Sequence, residues 1–188
     1  MARWRYGFLL LVLAALILAL ALAWTLGGNH AAQATPSGGS IKITQAAAEE
    51  LEKNVRNQIF DLNQQAFRLT LTDQQVTSFV NLKNANVPLD HPQIWFAQGK
   101  TFMSGSFTLL CLFHPEVLVV AAPQVRDRKV QANVQQIYVG AFQLPQSWLQ
   151  MISKSISDSI DEAQINLSFE KIEILEGELI ISGVKRSQ

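Results

Sequence analysis

The chain has 188 residues, of which 48% are hydrophobic, and it carries 15 basic and 15 acidic side chains. This length favours one domain with appendages. The balanced charge excludes a strongly basic nucleic-acid-binding protein and an acidic disordered chain. Because Arg3 and Arg5 precede residue 27 and no acidic side chain does, the rest carries 13 basic and 15 acidic side chains, a net charge of −2. We therefore expect no nucleic-acid partner.

An uncharged apolar segment of 21 residues, 6-YGFLLLVLAALILALALAWTL-26, follows the two arginines. A helix of this length crosses a hydrocarbon core of about 30 Å. Tyr6 and Trp24 lie near its ends, where amphipathic aromatic rings prefer the membrane interfaces. The two arginines place the N-terminus in the cytoplasm by the positive-inside rule. We predict a single-pass protein of the cell membrane, with residues 1–26 as cytoplasmic tip and anchor and the domain outside.

A cleaved signal peptide is the alternative interpretation of this segment. Ala21-Leu22-Ala23 and Ala32-Gln33-Ala34 both fit a small-x-small cleavage pattern. The apolar run is longer than the roughly 7–15 residues of a signal sequence, which favours an uncleaved anchor. Both interpretations place the remainder outside the cytoplasm. Residues 27–43, rich at first in glycine, serine and alanine, are predicted to be a flexible tether, and residues 44–188 the extracytoplasmic domain.

The domain is predicted to begin with an amphipathic helix over residues 44–64. Thr44 suits the N-cap, and one side of the helix is an apolar stripe with spacings of three and four: Leu51, Val55, Ile59 and Leu62. The next segment, Phe67–Leu71, alternates apolar and polar residues, which is typical of a half-buried strand.

The stretch 69-LTLTDQQVTSFV-80 predicts the step from this strand into a short second helix. Thr72 and Gln75 have the Thr-x-x-Gln spacing of a capping box, in which each side chain accepts from the backbone of the other residue. Asp73 falls in the first turn, where a negative charge is favourable. The buried side is predicted to consist of Val76, Phe79 and Val80.

From Gln93 to Phe142 the pattern predicts antiparallel strands joined by short polar turns. The predicted strands are Gln93–Ala97, Thr101–Phe113, Val117–Val125 and Lys129–Phe142. In the last of them the apolar positions change from even to odd numbers at Gln135-Gln136. A shift of one residue in the alternation predicts a β-bulge.

Residues 144–164 predict a second long amphipathic helix, opening at Pro145. Its apolar stripe lies opposite glutamine, serine, lysine and aspartate, and comprises Trp148, Leu149, Ile152, Ile156, Ile160 and Ala163. Residues 166–183 predict a hairpin that turns at Glu176-Gly177, with a second change of alternation between Phe169 and Ile172. Two bulges indicate curvature. The predicted fold is α+β: a curved antiparallel β-sheet packed with two amphipathic helices, preceded by one N-terminal transmembrane helix.

This order of elements resembles the YpmS-like family of small membrane-anchored extracytoplasmic bacterial proteins. It is also similar to related bacterial domains that have been likened to tubular lipid-binding (TULIP) folds. The resemblance covers about residues 43–183 and depends on the step at Leu69–Gln75, on 139-VGAFQLP-145 and on 176-EGELIISG-183. It implies a lipid-handling or cell-envelope role and brings no residue-level functional motif.

Few residues suit catalysis or metal binding. His91 and His114 each precede a proline, and the chain has no metal-binding spacing, phosphate-binding loop or nucleophile motif. Asp90 with His91 is the alternative, as half of an acid–base pair. The single cysteine, Cys111, lies in an apolar run and is expected to be a buried hydrophobe. We predict a protein that is not an enzyme, with no catalytic residues, no metal site and no cofactor.

The apolar surfaces of the two helices and the curved sheet predict an apolar groove between them. Concave apolar sites bind hydrophobic ligands, and the anchor would hold this one beside a source of lipid. The expected ligand is a lipid or acyl chain, contacted by Leu51, Val55, Ile59, Phe107, Trp148, Ile152 and Ile156. The alternative is a non-enzymatic scaffold or interaction module with a protein partner in the cell envelope.

Overall fold

The structure, a computed structural model, describes residues 39–59, 64–83, 89–106, 114–163 and 167–186, without the side chains of residue 155 and residues 159–163. Within these residues the chain is α+β, with three helices and antiparallel strands, which confirms the predicted fold class. In chain order the elements are α1 (Gln45–Ile59), β1 (Ala66–Thr72), α2 (Asp73–Lys83), β2 (Asp90–Ala97), β3 (Lys100–Ser106), β4 (Glu116–Ala121), β5 (Gln124–Arg126), β6 (Lys129–Gln131), β7 (Val134–Val139), β8 (Phe142–Gln143), α3 (Gln146–Ala163), β9 (Leu167–Leu175) and β10 (Glu178–Lys185).

The predicted transmembrane segment, residues 6–26, lies outside the described residues. Among the helices that are described, none combines the length and the hydropathy needed to cross a membrane. The predicted groove residue Phe107 and the cysteine Cys111 also lie outside the described residues.

The described strands form three antiparallel sheets, where the sequence predicted one curved sheet. Their orders are β1-β10-β9, β2-β3-β4-β7-β8 and β5-β6. The predicted strands at 117–125 and 129–142 are each divided, the first into β4 and β5, the second into β6, β7 and the first residue of β8. Pro123 has no backbone N–H to continue the ladder at this point. The Ala122 N–H donates to the Asn133 carbonyl at 2.8 Å, so the two halves form one bent hairpin.

Both predicted bulges are confirmed by the strand register. Val120 pairs with Gln136 and Ala121 with Val134, which leaves Gln135 as the extra residue. In the other sheet Ser182 pairs with Lys171 and Gly183 with Phe169, which leaves Glu170. A Cβ at Gly183 would lie 2.2 Å from the Ser168 carbonyl oxygen, so only glycine fits at this second bulge.

The five-stranded sheet carries a separate apolar cluster on each face. One cluster consists of Trp95, Ala97, Phe102, Leu118 and Val120, with Ile41 packed against it. The other consists of Val117, Val134 and Ile137 on the strands and Leu149 on α3. Val117 and Leu118 fall in different clusters because successive side chains of a strand point to opposite faces. The segment containing Ile41 and helix α3 therefore lie on opposite faces of this sheet.

Gly39–Ile43, which the sequence prediction placed in the tether, lie against the domain. The Trp95 indole N–H donates to the Gly39 carbonyl at 3.2 Å, and the Ile41 N–H donates to Gln93 Oε1 at 2.7 Å. The Ile41 side chain packs against the cluster that contains Trp95. Gly39 and Ile41 therefore belong to the folded domain, and the rest of the predicted tether, residues 27–38, lies outside the described residues.

The capping box at the start of α2 is confirmed. The Gln75 N–H donates to Thr72 Oγ1 at 3.2 Å, and the Thr72 N–H donates to Gln75 Oε1 at 3.1 Å. The buried side of α2 differs from the prediction. It consists of Gln75, Thr77 and Ser78, whereas the predicted Val76, Phe79 and Val80 are all only half-buried.

Polar side chains of α2 face β2 because the helix closes the free edge of that strand. Asp73, Thr77 and Asn81 are four residues apart and form one row along the helix. They meet the backbone groups of β2 that point away from β3. The Phe96 N–H donates to Asp73 Oδ1 at 2.8 Å. Thr77 Oγ1 accepts from the Ile94 N–H at 3.0 Å and donates to the Ile94 carbonyl at 3.2 Å. Asn81 Nδ2 donates to the Pro92 carbonyl at 2.7 Å.

The turn between β9 and β10 joins the three-stranded sheet to this edge. Gly177 adopts a φ of 75°, a conformation that favours glycine. Its N–H donates to the Phe96 carbonyl at 2.8 Å, and its carbonyl accepts from the Asp73 N–H at 3.1 Å. The predicted turn at Glu176-Gly177 is confirmed, and it also connects both larger sheets to the first turn of α2.

Candidate docking surface

Helix α3 is held on the five-stranded sheet by its apolar side. The chain enters it at Pro145, whose carbonyl accepts from the Trp148 N–H at 3.0 Å. Leu149 is only 1% exposed and lies in the cluster with Val117, Val134 and Ile137. Ile152, nearly one turn further along, is half-buried against the same cluster.

Two serines fix the rotation of α3 about its own axis. Ser153 Oγ accepts from the Val134 N–H at 3.0 Å, and Ser157 Oγ accepts from the Ala132 N–H at 3.1 Å. The prediction that the serines of this helix lie opposite its apolar stripe is wrong for these two. The strand breaks between β6 and β7, so these backbone groups have no neighbouring strand there, and the hydroxyls take its place.

The outward side of α3 exposes large apolar side chains. Trp148 is 56% exposed, Met151 67% and Ile156 37%. Phe142 of β8 is 44% exposed, and it pairs with Val139, so it points to the sheet face that α3 covers. Trp148, Ile152 and Ile156 are four residues apart and form one row along the helix. We call Phe142, Trp148, Met151, Ile152 and Ile156 together the α3 patch.

The α3 patch, except for Ile156, lies in an uncharged part of the chain. No lysine, arginine, aspartate or glutamate occurs from Val130 to Ser153. The first charged side chain beyond it, Lys154, forms an ion pair with Asp158 at 2.6 Å in a largely exposed position. Interface cores are depleted of charged residues and enriched in aromatic residues and methionine. The composition and exposure of the α3 patch are therefore typical of a surface that another molecule covers.

The predicted groove residues fall into two sets. Leu51 is buried on α1, and Val55 and Ile59 are half-buried there. The other three described residues, Trp148, Ile152 and Ile156, are the row on α3. Helix α1 packs against α2 and β1, whereas α3 packs against β6 and β7. The structure thus brings each set together on its own helix, and a groove that joins them stays a prediction.

Sequence reasoning missed Phe142 and Met151 as surface-forming residues. Phe142 was assigned to the end of a strand, and Met151 lies beside the apolar stripe of α3 rather than within it. One signal was present, because Val130–Ser153 is a run of 24 uncharged residues in a chain with 16% charged residues. Such a run within a predicted extracytoplasmic domain indicates either a buried element or an apolar surface.

Two carboxyl groups, those of Asp73 and Glu173, have pKa values that are shifted by their neighbours within the fold. Burial raises the pKa of the Asp73 carboxyl, the hydrogen bond from the Phe96 N–H opposes this shift, and the nearby Glu176 carboxylate adds to it. The hydrogen bond from Lys171 lowers the pKa of the exposed Glu173. Asp90 and His91 lie exposed at the irregular start of β2. Among the residues that the structure describes, no three His, Cys, Asp or Glu side chains are grouped to hold a metal ion.

Comparisons of this chain with models of protein families, with curated proteins and with solved structures find no match. The resemblance to the YpmS-like family stays a prediction.

Proposed function

We propose that this chain is a membrane-anchored, non-enzymatic protein-interaction module, whose extracytoplasmic domain binds a protein partner through the α3 patch. The observation that carries the proposal is the exposure of Phe142, Trp148 and Met151, at 44, 56 and 67%, in a segment without charge. Large aromatic and methionine side chains supply much of the binding energy of protein interfaces. The anchor at residues 6–26 holds this surface outside the membrane.

The coverage of the strand edges supports docking through side chains rather than by strand addition. The edge of β2 is closed by α2, and Ser153 of α3 satisfies the Val134 N–H of β7. On the three-stranded sheet, the Arg68 N–H of β1 donates to Gln58 of α1 at 3.4 Å, and the Phe169 N–H of β9 donates to the Arg128 carbonyl at 2.9 Å. The outer strand beside α3, β8, is two residues long. Short and covered edges discourage strand pairing.

A lipid or acyl chain is the second candidate occupant, and the absence of charge in the α3 patch favours it as well. Ligand sites usually enclose most of the ligand surface. The exposed side chains of the α3 patch come from one side of a helix and from the short strand β8, so an acyl chain would be covered on one side only. This geometry suits the flatter surface of a protein better.

Variants of the α3 patch test the proposal in the intact membrane protein. Trp148→Ser with Met151→Gln removes the two most exposed side chains, and Leu82→Gln with Leu175→Gln is a matched control, since these leucines are 46 and 51% exposed on other elements. Native gel electrophoresis of gently solubilised membranes should show the chain in an assembly larger than one copy. The patch variant should run as a single copy, and the control should remain assembled. An unaltered assembly in the patch variant would contradict the proposal.

Native mass spectrometry of the full chain released from membranes separates protein from lipid. The proposal predicts an added protein mass that the patch variant loses. A single chain that carries lipid in the wild type and none in the patch variant would favour the second candidate. Truncated versions should keep Gly39 and Ile41, because both contact β2.

A further inference from the structure

We infer that the protein partner is a second copy of this chain, which binds α3 patch to α3 patch about a two-fold axis. The inference rests on the proposed function, that the α3 patch is a protein-binding surface. It adds the identity of the partner and the element at the centre of the contact, helix α3.

The charge distribution favours self-association. A two-fold contact places the same surface on both sides, so any net charge in it would meet a like charge. The segment Val130–Ser153 has no charged side chain, and Lys154 at its border is already paired with Asp158 of its own copy. The side chains of the α3 patch are all uncharged, and the two charges that flank Ile156, Lys154 and Asp158, neutralise each other, so a contact between two copies brings no net charge together. Contacts between different proteins commonly use complementary charge.

The row along α3 is self-complementary in shape. Trp148 and Ile156 are each four residues from Ile152, so antiparallel pairing about Ile152 places Trp148 of each copy opposite Ile156 of the other. Rows of residues four apart pack into one another when two helices cross at about −50°. The large indole then lies beside the smaller Ile156, and Met151, which is flexible, lies close to the axis.

The exposed apolar area of the α3 patch is close to the apolar area that a stable dimer interface buries. Phe142, Trp148, Met151 and Ile156 are between 37 and 67% exposed. Side chains of this size have roughly 200 Å² of surface each, so the four present about 400 Å² to solvent. A stable interface covers about 800 Å² on each partner, of which roughly 55–65% is apolar. The α3 patch supplies most of that apolar share.

The tether leaves this surface accessible to another anchored copy. Ile41 packs on the face of the five-stranded sheet opposite to α3, so the chain enters the domain away from the α3 patch. Residues 27–38 span at most about 40 Å when extended, which lets two anchored domains turn their α3 patches toward each other. Anchoring in one membrane also raises the effective concentration of each copy for the other.

Photo-crosslinking with two tags tests the inference. Full-length chains that carry p-benzoylphenylalanine in place of Met151 are produced together with wild-type chains bearing a second tag, and intact cells are irradiated. We expect an adduct of twice the 20.9 kDa chain mass that carries both tags. The same amino acid in place of Leu175, on the exposed end of β9, is the control and should give no adduct with both tags.

The outcomes separate the inference from the proposed function. An adduct that carries only one tag and joins position 151 to a different protein would overturn the inference that the partner is a second copy. The α3 patch would then remain a protein-binding surface. Irradiation that yields only lipid adducts, or none, from position 151 would contradict both.

Charged substitutions at Met151 provide a second test. Because Met151 is exposed, these variants should fold. Met151→Glu places two like charges near the two-fold axis, and Met151→Lys does the same with the opposite sign. Each variant alone should lower the yield of dimer by about fivefold. Production of both variants together should restore it, since the carboxylate introduced in one copy then meets the ammonium group introduced in the other. No recovery in the mixture, with both variants folded, would overturn the antiparallel contact about Ile152.

Discussion

At the scale of single residues, hydroxyl and carboxylate side chains on the helices replace missing strand partners. Thr77 is fully buried, yet its hydroxyl both accepts from and donates to the backbone of Ile94. Asp73 accepts from the Phe96 N–H in the same way. A buried backbone group without a partner is costly, so these side chains are required wherever β2 has no neighbouring strand.

Thr77→Val should destabilise the domain by about 1–3 kcal/mol, because valine has the same shape and leaves the backbone groups of Ile94 unsatisfied. Thermal unfolding of the full chain in detergent measures the loss as a lower Tm. The control is Thr70→Val on the exposed side of β1, which should change the Tm little. Equal Tm values for the two variants would show that the edge of β2 does not depend on Thr77.

Asp73→Asn should gain stability relative to the wild type as the pH rises from about 4 to about 7. Burial raises the pKa of Asp73 above its ordinary value of 3.8, so the folded state binds this proton more tightly than the unfolded state. The resulting stabilisation is complete below the ordinary pKa and is lost as the pH rises through the folded-state pKa. Asparagine still accepts from the Phe96 N–H and does not titrate. The Tm of both proteins is measured across this pH range. A constant difference between the two Tm values would contradict the raised pKa of Asp73.

At the scale of elements, local signals were predictable and contacts between distant segments were not. The capping box at Thr72, the turn at Gly177 and both bulges depend on neighbouring residues or on alternation within one strand, and all were predicted correctly. The division of the long hairpin was not, although Pro123 was visible. Prolines also occur at strand edges without ending the strand. The side chains of Ser153 and Ser157 point to the sheet because β6 ends and β7 begins beside them. The spacing of apolar residues along α3 carries no information about that strand break.

Ser153→Ala should leave the Val134 N–H without its hydrogen-bond partner and loosen the first half of α3 on the sheet. We expect a loss of about 1–3 kcal/mol in the free energy of local opening. Hydrogen exchange of the Val134 amide and of the α3 amides measures it, with the exposed Ser147→Ala as control. Protection factors that match between the two variants would contradict the role given to Ser153.

At the scale of the whole molecule, Ile41 and helix α3 lie on opposite faces of the five-stranded sheet. The sequence predicted an anchored domain in which the apolar sides of two helices and a curved sheet line one groove. In the described residues α1 and α3 pack on different elements, so the candidate surface consists of α3 and β8 alone. Periodicity identifies which residues of a helix are apolar. Which of them meet the sheet and which remain exposed depends on the packing of the whole domain.

Oxidative footprinting of Met151 in native membranes tests most directly whether the α3 patch is a covered surface. Met151 is 67% exposed in the isolated domain, so it should react quickly with mild peroxide when the chain is a single copy. We predict strong protection of Met151 in membranes and loss of that protection after dilution in detergent. Met103, half-buried on β3, is the internal reference and should react at the same rate in both states. Rapid oxidation of Met151 in membranes, equal to that of the diluted chain, would contradict the claim that a partner covers the α3 patch.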